Sequence, residues 1–200
     1  MRLPRLAALL FLLALLSAPA GDARAHPHAW IDLRSTVVLD DQGRVTAIEQ
    51  EWLFDQFYSL FLTEDLDPAL SEAEAYESIA RRAMTNLRDY DYFTVIRADG
   101  EKLRLETVEE AAAELRGGRL WLRFTVPLAR PVDPRGETLE YAVYDPTYYI
   151  EILHMQGDLV AFRGAGSGNC LGDIQPPDPD PETVALAQAL DRDAVADSSL

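Results

Sequence analysis

Apolar residues recur at every second position through much of this chain. Ile31, Leu33, Val37 and Leu39 fall on one side of an extended segment, Asp40-Asp41-Gln42-Gly43 supplies turn residues, and Val45 to Phe54 returns. That pattern predicts an antiparallel hairpin. Phe93 to Arg97 and Leu103 to Thr107 flank Asp99-Gly100, turn chemistry for a second hairpin. Gly117-Gly118 precedes Leu120, Leu122, Phe124, Val126 and Leu128, the cleanest alternation in the sequence. Leu139 to Tyr144, Tyr148 to Leu153 and Asp158 to Phe162 add short strands separated by turn residues. The period changes after Ser71, which stands at capping-box distance from Glu74. Tyr76, Ile79, Ala80, Ala83, Leu87 and Tyr90 then follow at helical spacing, predicting a single amphipathic helix over 72–90. Many short strands with one inserted helix predict a mainly β fold: an antiparallel β-sandwich of immunoglobulin-like type, with the helix between the second and third strands.

The ends of the chain have a different texture. Met1 to Arg5 carries two arginines, Leu6 to Leu16 is an uninterrupted apolar run, and small residues follow at Ala18, Ala20, Ala23 and Ala25. Residues 1–25 are therefore expected to be a secretory signal peptide, too short for a stable membrane span. Cleavage after Ala25 makes His26 the first residue, whereas cleavage after Ala20 leaves Gly21 first; Pro19 is awkward beside the second site, which favours the first. No later apolar run is long enough to span a bilayer, so the mature protein is expected to be soluble and periplasmic. Residues 26–163 are expected to form the sandwich domain. Residues 164–200 are expected to form a Gly-, Pro- and Asp-rich loop and a short helix over 181–194, with Asp180 as N-cap and Pro181 at the first helical position. Cys170 is the only cysteine. Exported domains normally pair theirs, so Cys170 is expected either to be a free thiol or to have its partner missing from this sequence.

Charge narrows the function classes. The 200 residues carry 18 basic and 34 acidic side chains. Removing residues 1–25, with Arg2, Arg5, Arg24 and Asp22, leaves 15 against 33, a formal charge of −18. Such a surface repels nucleic acid and anionic lipid and concentrates cations around itself. G-x-S-x-G, H-E-x-x-H, C-x-x-C and a phosphate-binding glycine loop are all missing, and three histidines with one cysteine offer little for a nucleophilic triad.

The histidines suit a metal better. In "ARAHPHAWIDL", His26 and His28 stand one residue apart just after the preferred cleavage site. A first-residue histidine offers its α-amine, with a pKa near 8, together with its own imidazole. Pro27 has no backbone N–H, so it cannot supply the deprotonated amide of an amino-terminal copper/nickel motif; a histidine brace is the better expectation, with His28 donating a second imidazole. Cu, Zn, Ni and Co all accept such ligands. The alternative is that both histidines are exposed polar residues at a terminus. His154, in "EILHMQGD", stands near a strand end, as a third ligand or as an ordinary hydrogen-bonding histidine. Asp55, in "WLFDQFYSLF", and Asp145, in "YDPTYYIE", stand where strands give way to loops. Either completes a coordination sphere or caps a turn, and Asp before Pro146 favours the turn.

"HPHAWIDL" behind a signal peptide, "EWLFDQFYS", "YFTVI" and "YAVYDPTYYIE" occur in this order over nearly the whole mature chain. In that combination the sequence resembles a family of bacterial periplasmic proteins of unknown function, described as the periplasmic component of an uncharacterised ABC-type transport system. The resemblance implies an association with nickel/cobalt-type permeases and zinc uptake systems, and it points to His26, His28, Asp55 and Asp145. It also implies a further strand with a second cysteine beyond "ALDRDAVADSSL", where this sequence stops.

The leading expectation is a periplasmic protein that binds a divalent transition metal and acts in its uptake, delivery or homeostasis, with a membrane metal permease or ABC transporter as partner. A copper oxidase or monooxygenase built on the same brace is the enzymatic alternative. A metal-free adhesion or assembly module is the third. The sequence leaves the metal, the direction of transport and the oligomeric state open.

Overall fold

A computed structural model describes residues 29–64, 66–147, 149–155 and 160–175. The expected signal peptide, His26, His28 and the expected helix over 181–194 lie outside the described residues. No helix among the described residues is long and apolar enough to cross a membrane.

The first hairpin forms as its alternation predicts. Strand β1 (Ala29–Leu39) pairs antiparallel with β2 (Val45–Phe54), from Ile31 opposite Phe54 to Val38 opposite Ala47. In the intervening turn the Asp40 carboxylate accepts the N–H groups of Gln42 and Arg44, and Gly43 takes φ 75°, a conformation only glycine adopts without strain. On its other side β2 pairs with β6 (Arg119–Val132), the strand of cleanest alternation. β6 in turn pairs with β5 (Ala111–Arg116) through a tight turn at Gly117-Gly118, both with positive φ.

The far edge of β1 takes two short strands in succession. β8 (Ile150–His154) runs beside Ala29–Leu33, and β9 (Ala161–Arg163) runs beside Thr36–Val38. Both are parallel to β1, which corrects the expectation of an all-antiparallel fold. A parallel partner requires a crossover rather than a hairpin. The chain makes that crossover by leaving β6 for a second sheet, ordered β4 (Glu101–Lys102), β3 (Thr94–Ala98), β7 (Leu139–Val143), before it reaches β8.

Two helices stand where one was expected. α1 (Gln56–Glu64) follows β2 directly, and α2 (Glu72–Leu87) begins with the full Ser71–Glu74 capping box. The predicted 72–90 helix ends early because the chain tightens and kinks within Arg88–Phe93, where Asp91, Tyr92 and Phe93 take φ of 53°, 55° and 55°. Side chains and backbone hold this left-handed stretch: the Thr94 hydroxyl donates to the Tyr92 carbonyl, and the Val108 N–H donates to the Tyr92 hydroxyl. The described residues are thus mainly β, with two open sheets and two α-helices.

One face of the main sheet carries the core. Near the turn of the first hairpin, Val37, Leu39, Val45, Ile48, Leu128 and Val132 pack against Ile96, Ala98 and Leu103 beside the second sheet. Toward the start of β1, Ile31, Leu33, Trp52, Phe54, Leu122 and Phe124 pack against Ile79, Ala80 and Met84 of α2. A buried polar chain links these halves: Trp52 Nε1 donates to Gln50 Oε1 at 2.9 Å, and Gln50 Nε2 donates to Thr94 Oγ1 at 2.7 Å. Gln50 is fully buried, and both ends of its amide are satisfied.

Candidate functional site

The described chain starts at Ala29, fully buried, with Ile150 of β8 as its parallel partner. Two aspartates converge on this end. Asp55, between β2 and α1, accepts the Tyr58 N–H on Oδ1 at 2.8 Å, which makes it the N-cap of α1. Its Oδ2 accepts the N–H of Trp30 at 3.0 Å. Behind it the Ser59 hydroxyl, buried, donates to the Asp55 carbonyl and accepts the Leu120 N–H at 2.8 Å, tying α1 down onto β6.

Asp145 is 3 % exposed and organises the loop between β7 and β8. Its Oδ1 accepts the Thr147 N–H at 2.8 Å and the Thr147 hydroxyl at 2.7 Å, while Oδ2 accepts the N–H groups of Tyr149 at 3.1 Å and Ile150 at 3.0 Å. A carboxylate has about four lone-pair sites. Asp145 uses all of them inside the protein, whereas among the described residues Asp55 accepts two N–H groups, one on each oxygen. The turn expected at Asp145-Pro146 is present, and Asp145 aligns β8 against Ala29.

Tyr58 stands among these groups. Burial pushes its hydroxyl above the usual tyrosine range, and the nearby Tyr149, Asp145 and Asp55 push in the same direction. Tyr58 also stacks on Phe54 at 5.8 Å and meets Phe61 at 5.9 Å, an aromatic path from the core to the surface of α1. There Phe57 (80 %), Leu60 (61 %) and Phe61 (64 %) are exposed, as is half of Trp30. Three of these lie at i, i+3 and i+4 of one helix face, an apolar face turned to solvent.

His154 lies elsewhere. It pairs with Leu33, four residues along β8 from Ile150, or roughly 13 Å at strand rise. Its Nε2 is 3.5 Å from the Ser35 hydroxyl, which is 2.6 Å from the Tyr141 hydroxyl. The structure therefore brings Asp55 and Asp145 together and leaves His154 at the other end of its strand. Among the described residues no three His, Cys, Asp or Glu side chains form a ready metal cluster. The aromatic residues Trp52, Phe54, Phe57, Tyr58, Tyr144, Tyr148 and Tyr149 read from sequence as core packing, and Ser59 escaped the sequence reading. The one signal was an aspartate directly ahead of a nine-residue stretch with five apolar residues, an N-cap pattern hidden by aromatic residues that equally suit a strand.

Fold and site together define a mainly β protein whose first strand is clasped at its start by two aspartates. The chain belongs to the family described as "Protein of unknown function (DUF1007)", which it matches over residues 10–199. It is similar to an uncharacterized protein of Haemophilus influenzae, with 29% identity over 170 residues, 84% of this chain and 81% of that protein. It is also similar to an uncharacterized 15.5 kDa protein of Spirochaeta aurantia, encoded in the trpE 3' region, with 31% identity over 83 residues, 42% of this chain and 59% of that one. No solved structure matches.

Proposed function

We propose that the protein is an exported, periplasmic binding protein for a divalent transition metal (Zn, Cu, Ni or Co), acting in metal uptake, delivery or homeostasis with a membrane metal permease or ABC transporter. The observation that carries this reading is the convergence of Asp55 and Asp145 on the start of β1, directly behind His26-Pro27-His28 in sequence. His28 is bonded to Ala29, so their Cα atoms are about 3.8 Å apart in any trans conformation. We place the His28 imidazole among the ligands because His28 directly precedes Ala29 in sequence, itself one residue ahead of the Trp30 N–H that Asp55 accepts.

In this reading His26 and His28 are the principal ligands and Asp55 offers its carboxylate, which accepts one N–H on each oxygen among the described residues. Asp145 holds β8 and Ala29 in place, and His154 serves a separate hydrogen-bonded cluster. Imidazole, amine and carboxylate donors suit Zn, Cu, Ni and Co alike. The exposed apolar face of α1 beside the site supports contact with a membrane-protein partner at the point of transfer. The domain reading goes with it: a signal peptide over 1–25, a domain over 26–163, and a tail over 164–200. The packing of two sheets supports a sandwich, with the immunoglobulin-like version a further part of the proposal.

The test is amino-terminal mass spectrometry of exported protein followed by calorimetry with Cu(II), Zn(II), Ni(II) and Co(II). The expected result is a first residue of His26 and one tight site. Retaining a single Gly ahead of His26 removes the α-amine as a ligand and lowers affinity, whereas His26→Ala with His28→Ala abolishes the site. Because the amine must lose its proton, affinity is expected to climb from about pH 6 to 8 with protons released. Unchanged titrations in the double variant overturn the reading.

A further inference from the structure

Strand β5 ends the main sheet, and among the described residues it pairs only with β6. An open groove runs along its other side, walled by Ala111 to Leu115 and, opposite, by the first two turns of α2 through Glu72, Tyr76 and Glu77. Successive residues of a strand point to opposite faces. A wall made of five consecutive residues is therefore the strand's backbone edge and not one of its faces. The small side chains of Ala111, Ala112 and Ala113 leave that edge open to close approach by another backbone.

Natural sheet edges are commonly blunted by lysine, proline, a bulge or a covering helix; α2 packs against β5 but leaves the groove between them open. β5 has neither lysine nor proline, and its register with β6 runs from Ala111 opposite Phe124 to Arg116 opposite Arg119 without a shift. The groove is also one-signed. Glu72, Glu77 and Glu114 line it, and no lysine or arginine does. Glu77 and Glu114 each meet an arginine of their own element, Arg81 and Arg116, in exposed pairs, which are weak and readily exchanged for an incoming cation. Helix on one side, free strand edge on the other and acidic residues along both is the geometry of strand addition.

We infer that this groove binds an extended, cationic segment of a partner protein, which adds as a strand to the free edge of β5. A second copy of the chain is a poor occupant, since it would bring the same glutamates against these. The site stands apart from the aspartate-clasped end of β1 and does not depend on metal binding.

The experiment uses the full mature chain and a random linear peptide library displayed on phage. Selected peptides are expected to be rich in Lys and Arg and poor in Pro. Bound as synthetic peptides, they are expected to slow hydrogen exchange at alternate amides of 111–116. Methylating alternate backbone nitrogens of the peptide should abolish binding. The combined Glu72→Gln, Glu77→Gln, Glu114→Gln variant, which spares the Glu74 cap, should melt normally and bind roughly tenfold more weakly. Absence of enrichment, acidic or neutral selected peptides, or unchanged exchange at 111–116 overturns the inference. So does self-association in ultracentrifugation that itself protects these amides, which would make the edge an interface between copies.

Discussion

Asp55 and Trp30 hold each other twice: the Trp30 N–H donates to Asp55 Oδ2 at 3.0 Å, and the Asp55 N–H donates to the Trp30 carbonyl at 2.8 Å. The second bond is backbone to backbone and survives any substitution of the side chain. The first does not, and it shares a carboxylate with the cap of α1. Asp55→Asn keeps one oxygen for either Tyr58 or Trp30 but not both, so a loss of about 1 kcal/mol is expected. If Asp55 also ligates, the same variant lowers metal affinity by about tenfold while α1 stays helical. Urea unfolding and calorimetry on one preparation separate these effects, and unaltered affinity removes Asp55 from the ligand set.

Asp145 is expected to behave in the opposite way. Its carboxylate is buried and satisfies the N–H groups of Thr147, Tyr149 and Ile150. Asp145→Ala strands these donors at the point where β8 joins β1, at a cost of about 2–4 kcal/mol. Urea denaturation of metal-free protein should show the full loss. A loss that emerges only when metal is present would make Asp145 a ligand instead of a frame.

The strands that were legible in the sequence are those whose pattern is local. β1, β2 and β6 alternate cleanly because one face meets the core and the other meets solvent. β5 was not legible, because Ala-Ala-Ala-Glu-Leu-Arg favours a helix by propensity and becomes a strand only through pairing with β6 beyond Gly117-Gly118. α1 was missed for the reverse reason: Phe57, Tyr58 and Phe61 suit a strand, and the Asp55 cap decides the matter. The parallel placement of β8 and β9 depends on contacts more than a hundred residues apart in the chain, which no window of sequence contains. Asp55 and Asp145 could be picked out as residues at strand ends. That they share an end of the molecule follows only from that long-range pairing.

The centre of β6 gives the most direct check on the register. Leu122 and Phe124 are each 1 % exposed and face Trp52, Phe54 and α2 within one cluster. Aspartate at either position buries a charge without a partner, a cost of several kcal/mol and enough to unfold a domain of ordinary stability. Thr125, which points to the other face and is partly exposed, should accept aspartate with little change. Circular dichroism and thermal melting of the three variants test the alternation, and a stable Phe124→Asp would show the register to be wrong.

The aromatic groups give the fold an alkaline limit. Burial raises the Tyr58 hydroxyl above its ordinary value of 10.0, with Tyr149, Asp145 and Asp55 adding to the rise. Burial does the same for Tyr141, partly offset by its bond to Ser35. Folded protein therefore holds these protons more tightly than unfolded chain does. Between the unfolded value and the raised folded value, folding takes up protons, so stability falls as pH rises. Below the unfolded value their contribution is fully present. The urea midpoint is expected to stay flat for these groups from about pH 8 to 9.5 and to fall above about 10. Tyr58→Phe removes its share of that slope without emptying the stack on Phe54, whereas Tyr141→Phe also gives up the Ser35 bond and lowers stability at neutral pH. Phenolate absorbance during the same titration assigns the transition. A slope unchanged in Tyr58→Phe would mean that Tyr58 titrates as freely in the folded protein as in the unfolded chain, and that water reaches its hydroxyl.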